Sequence, residues 1–135
     1  MISLYRLAHA LWCRRVPVLP RLLTLLNRVL TGAYVPAQAQ IGAGTKIAYG
    51  GAGLMIHPRS VVGKNCLLSP GVVVGGRSGV RQVPVIEDDV RIYPHAVLLG
   101  PIRVGRGCVV AANAVVVDSQ PAGTVLVAPK ATALQ

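Results

Sequence analysis

Two histidines, His57 and His95, are the side chains of this chain whose type best suits catalysis at neutral pH. A neutral imidazole can take the proton that a hydroxyl group loses as it attacks a carbonyl carbon. The third histidine, His9, falls in a predicted helix, where we expect a structural role. The sequence therefore offers two candidate general bases, and the elements that hold them determine which one can act.

A period of six residues runs through the part of the chain that carries both histidines. The spacing between aliphatic residues is six, except for nine after Ile47 and twelve after Val74. These anchor residues are Ile41, Ile47, Ile56, Val62, Leu68, Val74, Ile86, Ile92, Leu98, Val104, Val110 and Val116. A helix repeats every 3.6 residues and a strand every two, so a strict period of six residues indicates a repeating unit of a short strand plus a turn. Three such units close one triangular coil of a parallel β-helix, with the anchors stacked inside it.

Small residues accompany the anchors. The position four after an anchor is small or β-branched in most repeats, and Cys66 and Cys108 fall there, so we expect both thiols to be buried and inert. Glycine often follows the anchor, and we expect it to permit turn conformations that other residues resist. These glycines are Gly42, Gly63, Gly75 and Gly105. A β-sandwich of short strands is the alternative fold, but its strands recur at about 8–12 residues.

Two insertions interrupt the period. The first adds three residues in "IAYGGAGLMI", and the second adds six in "VGGRSGVRQVPVI", where we predict a loop over about 75–85 that leaves one corner of the coil. Loops held on a rigid scaffold often carry function. The register places His57 one coil away from the start of this loop, whereas His95 lies at a later turn. His57 is therefore the first candidate for the base.

Residues 1–34 lack the period and predict two short helices separated by "VPVLP". Their five arginines occur without any acidic residue, because the first acid of the chain is Glu87. Solenoids need caps at their ends, so one role for 1–34 is a helical cap over the coil domain at 35–135. A basic amphipathic anchor on the inner face of an anionic membrane is the other role, and the two are compatible.

Composition narrows the classes of function. The formal net charge of +10 favours anionic partners, such as phosphorylated cofactors or anionic lipid. Nucleic acid is not expected, because no aromatic–basic interleaving or binding motif occurs. The three cysteines have no metal-ligand spacing, so no metal site is predicted. We find neither a signal-peptide pattern nor an apolar run of membrane-spanning length, and therefore expect a cytoplasmic protein.

The chain resembles the hexapeptide-repeat acyltransferases, most closely the short serine-acetyltransferase-like proteins. The resemblance rests on "YRLAHALW", "IGAG", "VVVGGRSG", "VPVIEDDVRI", "LGPIRVGRG" and "ANAVV", which together extend over nearly the whole chain. It implies a left-handed parallel β-helix, a homotrimer with the active site in a cleft between the β-helices of neighbouring subunits, and acetyl-CoA as the donor. It also implies transfer of the acetyl group to a hydroxyl oxygen.

The same resemblance assigns residues, and this sequence departs from it at several of them. The position of the family's catalytic histidine is matched by Tyr49, which could orient an acceptor. The orienting acid falls near Tyr34 or Val35, and the substrate-gripping Arg-His pair falls near Arg81 to Val83, where no histidine occurs. For the donor, the candidate residues are Gly75 and Gly76 for close backbone approach, Ala111 and Ala112 for the pantetheine groove, and Arg77, Arg103, Arg106 and Lys130 for the phosphates.

Three functions follow as hypotheses. The favoured one is an acetyl-CoA-dependent O-acetyltransferase acting on a sugar hydroxyl of a surface glycan or its precursor, with free serine as the alternative acceptor. A second is a non-catalytic trimeric scaffold that has lost the catalytic histidine. A γ-type carbonic anhydrase uses the same fold, but it needs three zinc-binding histidines, two of them close in sequence, whereas His57 and His95 are 38 residues apart.

Overall fold

The computed structural model describes residues 1–133, so the last two residues of the predicted 35–135 unit lie outside it. Two helices come first, α1 (Ile2–Cys13) and α2 (Leu19–Thr31), and one turn of 3-10 helix spans Ala48–Gly51. The strands are β1 (Gln40–Ile41), β2 (Lys46–Ile47), β3 (Met55–Ile56), β4 (Val61–Val62), β5 (Leu67–Leu68), β6 (Val73–Gly75), β7 (Val85–Ile86), β8 (Arg91–Ile92), β9 (Val97–Leu99), β10 (Arg103–Val104), β11 (Val109–Val110), β12 (Val115–Val116) and β13 (Val125–Leu126).

The strands stack into three parallel sheets that form the sides of a prism. Sheet one has the order β1-β4-β7-β10, sheet two β13-β11-β8-β5-β2, and sheet three β12-β9-β6-β3. From β1 to β12 successive strands visit the three sheets in turn, so each group of three makes one coil, and β13 adds a further strand to sheet two. The anchors are in register from coil to coil, as in Ile41 beside Val62 and Val62 beside Ile86. This confirms the predicted parallel β-helix, and the architecture is consistent with its left-handed form.

The inward anchors form the core. Every anchor is buried except Ile47, which is half-buried and packs against the core cluster. The small residues four positions after the anchors are buried as well, including Cys66 and Cys108. Burial raises the pKa of the Cys66 thiol, and all three cysteines are free. The predicted packing of both residues is therefore confirmed.

The glycines that follow the anchors have a different physical role from the one expected. Gly42, Gly63, Gly75 and Gly105 do not adopt the left-handed conformation, so the expectation that they permit unusual turns is wrong. Instead the next coil leaves no room for a side chain. A Cβ on Gly42 would lie 2.5 Å from the carbonyl carbon of Gly63. The left-handed backbone occurs two residues later, at positions such as Gly44 and Gly107.

Helix α1 is attached to the first coil by polar contacts. The Tyr5 hydroxyl donates to the Ala39 carbonyl at 2.6 Å, and the Arg6 guanidinium donates to the carbonyls of Ile41 and Gly42, both at 2.6 Å. His9 donates from Nδ1 to the Ala37 carbonyl at 2.7 Å. These contacts hold α1 across the end of the prism. Neither helix of the described chain is both long and apolar enough to cross a bilayer.

The prism has three corners, which we number by the sheets they join. Corner I joins sheets one and two, corner II joins sheets two and three, and corner III joins sheet three to sheet one of the next coil. The insertion of three residues lies in corner II, at 48–54. The insertion of six residues lies in corner III, where 76–84 leave the coil between β6 and β7.

Candidate functional site

His57 opens corner III, directly after β3. Its backbone N–H donates to the Val74 carbonyl at 2.8 Å, which fixes the residue against β6 of the next coil. The imidazole lies beneath the start of the extruded loop, since a Cβ built on Gly76 would be 3.6 Å from Cδ2 and 3.7 Å from Nε2 of His57. Val83, at the other end of the loop, packs on the same position of Gly76. The loop and the histidine thus share one surface.

A backbone contact determines which nitrogen of His57 carries the proton. The N–H of Arg59 donates to Nδ1 at 3.1 Å, so a neutral ring has its proton on Nε2. Partial burial and the nearby positive charge of Arg59 lower the pKa of His57. The ring is therefore neutral at pH 7. In this state it presents a hydrogen-bond donor to the space beside Gly76.

Arg77 projects from the loop toward the following coil. Its side chain passes over Gly100, where a Cβ would lie 3.5 Å from Cδ of Arg77. Gly75 is equally close to that coil, since a Cβ there would be 3.0 Å from Cδ2 of Leu99. The absence of side chains at Gly75 and Gly100 lets the loop lie flat on the prism.

A shallow cavity of about 320 Å³ continues from the loop along corner III. It is lined by Gln82, Val83, Val85, Pro101, Ile102, Arg103 and Ser119. The lining is mostly apolar with one cation at the edge. A surface of this kind can accept an extended, mostly apolar chain.

The other two catalytic candidates lie at corner II. Tyr49 is 91% exposed and holds a left-handed backbone conformation with φ 49°. Such a conformation costs a non-glycine residue about 1 kcal/mol or more. His95 is also left-handed and exposed, and its ring lies over Gly71, whose missing side chain makes the space. Corner II therefore presents a phenol and an imidazole to the outside of the prism.

The remaining donor candidates are dispersed. Ala111 and Ala112 follow β11 at corner II, and Lys130 is exposed four residues beyond β13. Arg103 begins β10, and Arg106 lies at corner I. One chain does not bring this set together with His57 and Gly76.

Arg103 and Arg106 both form ion pairs with acidic residues. Nε of Arg103 contacts Oε1 of Glu87 at 2.6 Å, and Nη2 of Arg106 contacts Oδ2 of Asp88 at 2.9 Å. The backbone N–H of Arg106 and the side chain of Arg103 lower the pKa of Glu87. The backbone N–H of Lys64 and the side chain of Arg106 lower the pKa of Asp88. This network joins successive coils, and it leaves Arg103 and Arg106 less available to a ligand.

The topology has one consequence for the site. Corners II and III are different edges of the prism, so the groups at Tyr49 and His95 can meet those at His57 and Gly76 only across two copies of the chain. The sequence pattern indicates all four residues but does not indicate this division between two corners. It also does not indicate the Arg59 N–H that sets the His57 tautomer, because a backbone donor leaves no side-chain signal.

Comparison with known proteins gives consistent results. The family model for the bacterial transferase hexapeptide (six repeats) matches residues 84–118. The serine acetyltransferase of Synechococcus elongatus is 36% identical over 126 residues, which cover 91% of this chain and 51% of that protein. The serine acetyltransferase of Helicobacter pylori strain 26695 is 36% identical over 129 residues, which cover 94% of this chain and 75% of that protein. The chain thus spans about half the length of the first relative and three quarters of the second.

Solved structures agree with the sequence comparison. Serine acetyltransferase of Neisseria gonorrhoeae in complex with serine superimposes with a TM-score of 0.88 at 28% identity, covering 98% of this chain and 54% of that one. Serine acetyltransferase of Brucella abortus in complex with coenzyme A gives a TM-score of 0.87 at 28% identity, covering 92% and 50%. The similarity includes the N-terminal helices, since almost the whole chain is matched.

Proposed function

Because this chain belongs to the serine acetyltransferase family of hexapeptide-repeat transferases, we propose that it transfers an acetyl group from acetyl-CoA to a hydroxyl oxygen. Serine is the acceptor best supported, since the relatives compared above are serine acetyltransferases and one structural neighbour is in complex with serine. A neighbour in complex with coenzyme A supports the donor. The observation that carries the proposal is the His57 imidazole beneath Gly76 at the mouth of the extruded loop.

The residues of corner III suit a thioester on an extended arm. Gly75 and Gly76 lack the side chains that would cover the surface next to His57. The cavity of about 320 Å³ extends this surface with apolar side chains. Arg77 and Lys130 are the better phosphate contacts of the four candidates, because Arg103 and Arg106 are already paired with carboxylates.

The tautomer of His57 supports a role as a hydrogen-bond donor to the oxyanion. Because the Arg59 N–H occupies Nδ1, the ring offers Nε2–H as a donor, and we assign it to the thioester oxygen on which negative charge develops. Acting as the base would require the proton on Nδ1 and the loss of the hydrogen bond from Arg59. His95 is then the base, and Tyr49 orients the acceptor hydroxyl beside it. Ala111 and Ala112, at the same corner as these two, form the wall of the groove.

This division of roles requires an oligomer. Corner III of one copy supplies His57 and the loop, and corner II of a neighbouring copy supplies His95 and Tyr49. A homotrimer provides three such clefts. The exposed, left-handed Tyr49 supports this arrangement, because strained residues that the fold does not need are often held for function.

A sugar hydroxyl is the second candidate acceptor. It is favoured by the departures from the serine enzymes: Tyr49 in place of the histidine, no histidine from Arg81 to Val83, and no acid at Tyr34 or Val35. The relatives reported above give it no support. A non-catalytic trimeric scaffold is the third candidate, supported by the same departures.

Release of CoA from acetyl-CoA, measured with a thiol reporter, tests the proposal with serine and with a panel of glycans. Mass spectrometry of the acceptor then identifies the product, and Cys13→Ser removes the exposed thiol that would react with the reporter. We expect turnover with serine. Turnover with a sugar but not with serine would identify a sugar hydroxyl as the acceptor. If acetyl-CoA does not react and CoA does not bind, the non-catalytic scaffold is favoured.

Variants separate the assigned roles. Glutamine at position 57 keeps a donor but not a base, so His57→Gln should retain more activity than His57→Ala if His57 stabilises the oxyanion. Equal loss in both variants would return the role of base to His57. His95→Ala should lower kcat by about 10²-fold or more. Mixing His57→Ala with His95→Ala subunits should restore part of the activity, because mixed trimers contain some intact clefts.

The proposed compartment is the cytoplasm. The three cysteines are free thiols, as is usual where the surroundings are reducing. Acetyl-CoA, the proposed donor, is also an intracellular thioester.

A further inference from the structure

Helix α2 exposes most of its large apolar side chains. We define the outer face of α2 as Leu19, Leu22, Leu25, Leu26, Val29 and Leu30, whose exposed fractions run from 45% to 75%. At 3.6 residues per turn they occupy an arc of about 140°. The buried side holds Pro20 and Asn27, and the Asn27 amide has no hydrogen-bond partner among the described residues. These six side chains bury little surface within a single chain, and an exposed apolar face of this kind indicates an interaction site.

Positive charge lies along one flank of the outer face and next to the start of α2. Arg21 and Arg28 lie seven residues apart along one flank of α2, and Arg14 and Arg15 lie at the end of α1 just before it. All four are exposed. No acidic residue precedes Glu87, so nothing on either helix offsets this charge. The partner that complements the face is apolar in its interior and negative at its surface.

A second copy of the chain fits this description poorly. Pairing two outer faces would bring the arginines of both copies together. Of the four acids in the chain, Glu87, Asp88 and Asp89 already contact Arg103 or Arg106, which leaves Asp118 alone to complement the arginines of another copy. Charge complementarity therefore favours an anionic lipid surface over a copy of this protein.

The dimensions also suit a bilayer surface. Helix α2 has 13 residues, so its length is about 20 Å, too short to cross a bilayer but suited to lie in the headgroup region. A cavity of about 620 Å³ opens at the junction of the helices, lined by Trp12, Val16, Val18 and Arg21 among others. Apolar walls with a cation at the rim can take part of a lipid.

We propose that the outer face of α2 docks the protein on anionic phospholipid, with the leucines among the acyl chains and the arginines among the headgroups. This contact is separate from the acetyl-transfer site, because α2 carries none of the residues assigned to that site. A transferase held in this way acts next to the membrane.

Flotation of the full chain with vesicles tests the proposal, since protein on lipid floats while aggregates sediment. We expect binding to mixed phosphatidylglycerol–phosphatidylcholine vesicles, little binding to pure phosphatidylcholine, and loss of binding at high salt. Emission from Trp12, the only tryptophan, should shift to shorter wavelength on binding. No flotation at low salt would overturn the proposal.

Matched variants test the surface itself. Leu22→Glu with Val29→Glu should weaken vesicle binding about tenfold or more, whereas Val127→Glu, at a residue 73% exposed on the coil domain, should not. Arg21→Gln with Arg28→Gln should weaken binding about tenfold, and Arg91→Gln should have little effect. Equal binding by all variants would refute the assignment. A lipid-independent oligomer that Leu22→Glu with Val29→Glu dissociates would identify a second copy as the partner instead.

Discussion

Gly63 lies against Asp88 of the next coil so closely that no side chain fits between them. A Cβ on Gly63 would be 2.5 Å from Oδ1 and 2.6 Å from the backbone nitrogen of Asp88. The same carboxylate accepts a hydrogen bond from Lys64 N–H at 2.8 Å, so it cannot move away without breaking a contact. The spacing that the parallel-strand hydrogen bonds give the coils therefore requires glycine at this position.

Gly63→Ala should destabilise the protein by about 2 kcal/mol or more, because backbone atoms must move to admit the new methyl group. Denaturant unfolding at a fixed protein concentration measures the change. Gly76→Ala is the matched control for stability, since its Cβ would make only ordinary contacts. Equal stability of Gly63→Ala and the unmodified protein would contradict the steric requirement for glycine at this position.

Gly76→Ala should lower the proposed acetyl transfer while leaving the fold unchanged. The added methyl group would lie 3.6 Å from the His57 ring and cover the face that we assign to the thioester. CoA binding and kcat/KM are the quantities to compare. Full activity in this variant would place the donor elsewhere on the prism.

Leu68→Ala should cost about 3 kcal/mol of unfolding free energy, because Leu68 is fully buried in the middle of the stack and its loss leaves a cavity. The same change at Leu22, which is 55% exposed, should have an effect within about 0.5 kcal/mol. Chemical denaturation of the two variants provides the comparison. A large loss at Leu22 in the lipid-free protein would show that α2 packs against something in solution.

Tyr5→Phe should destabilise the attachment of α1 by about 1 kcal/mol, since the hydroxyl donates to the Ala39 carbonyl inside the structure. Burial raises the pKa of Tyr5 from 10.0 to about 12. Because the pKa is raised in the folded state, the contribution of the neutral Tyr5 phenol to the free energy of unfolding is complete below pH 10.0. This contribution is lost as the pH rises toward about 12. Phenolate absorbance should therefore show one tyrosine that ionises late in the unmodified protein and is absent from Tyr5→Phe.

Acid should weaken the coil stack through Glu87 and Asp88. Their pKa values are lowered from 4.5 and 3.8 by hydrogen bonds from the neighbouring coils. A lowered pKa in the folded state gives stability that is present above the ordinary value and is lost as the pH falls through the folded value. Glu87→Gln with Asp88→Asn should be less stable at pH 7 and should lose less stability on acidification. Thermal unfolding across the acid range measures this difference. If the network contributes nothing, Tm will fall with pH equally in the double variant and in the unmodified protein.

The sequence by itself determined the repeating part of this protein. A six-residue period is a local property, and aliphatic anchors at that period have one efficient way to be buried, which is to stack inside a three-sided coil. The two insertions were visible for the same reason, because each breaks the period. The burial of Cys66 and Cys108 followed from their place in the repeat.

The tertiary structure decided the matters that depend on contacts between coils. It separated His57 from His95 and Tyr49, because the corner a residue occupies depends on how the chain has wound. It also showed that Gly42 and Gly63 are needed because a side chain would clash, and not because the backbone is left-handed. The obstructing atoms belong to residues one coil away, which the local sequence does not indicate. It also turned the leucines of α2 outward. The hydrophobic period of a helix defines an apolar face, but only the packing of its neighbours determines whether that face meets the core or a partner.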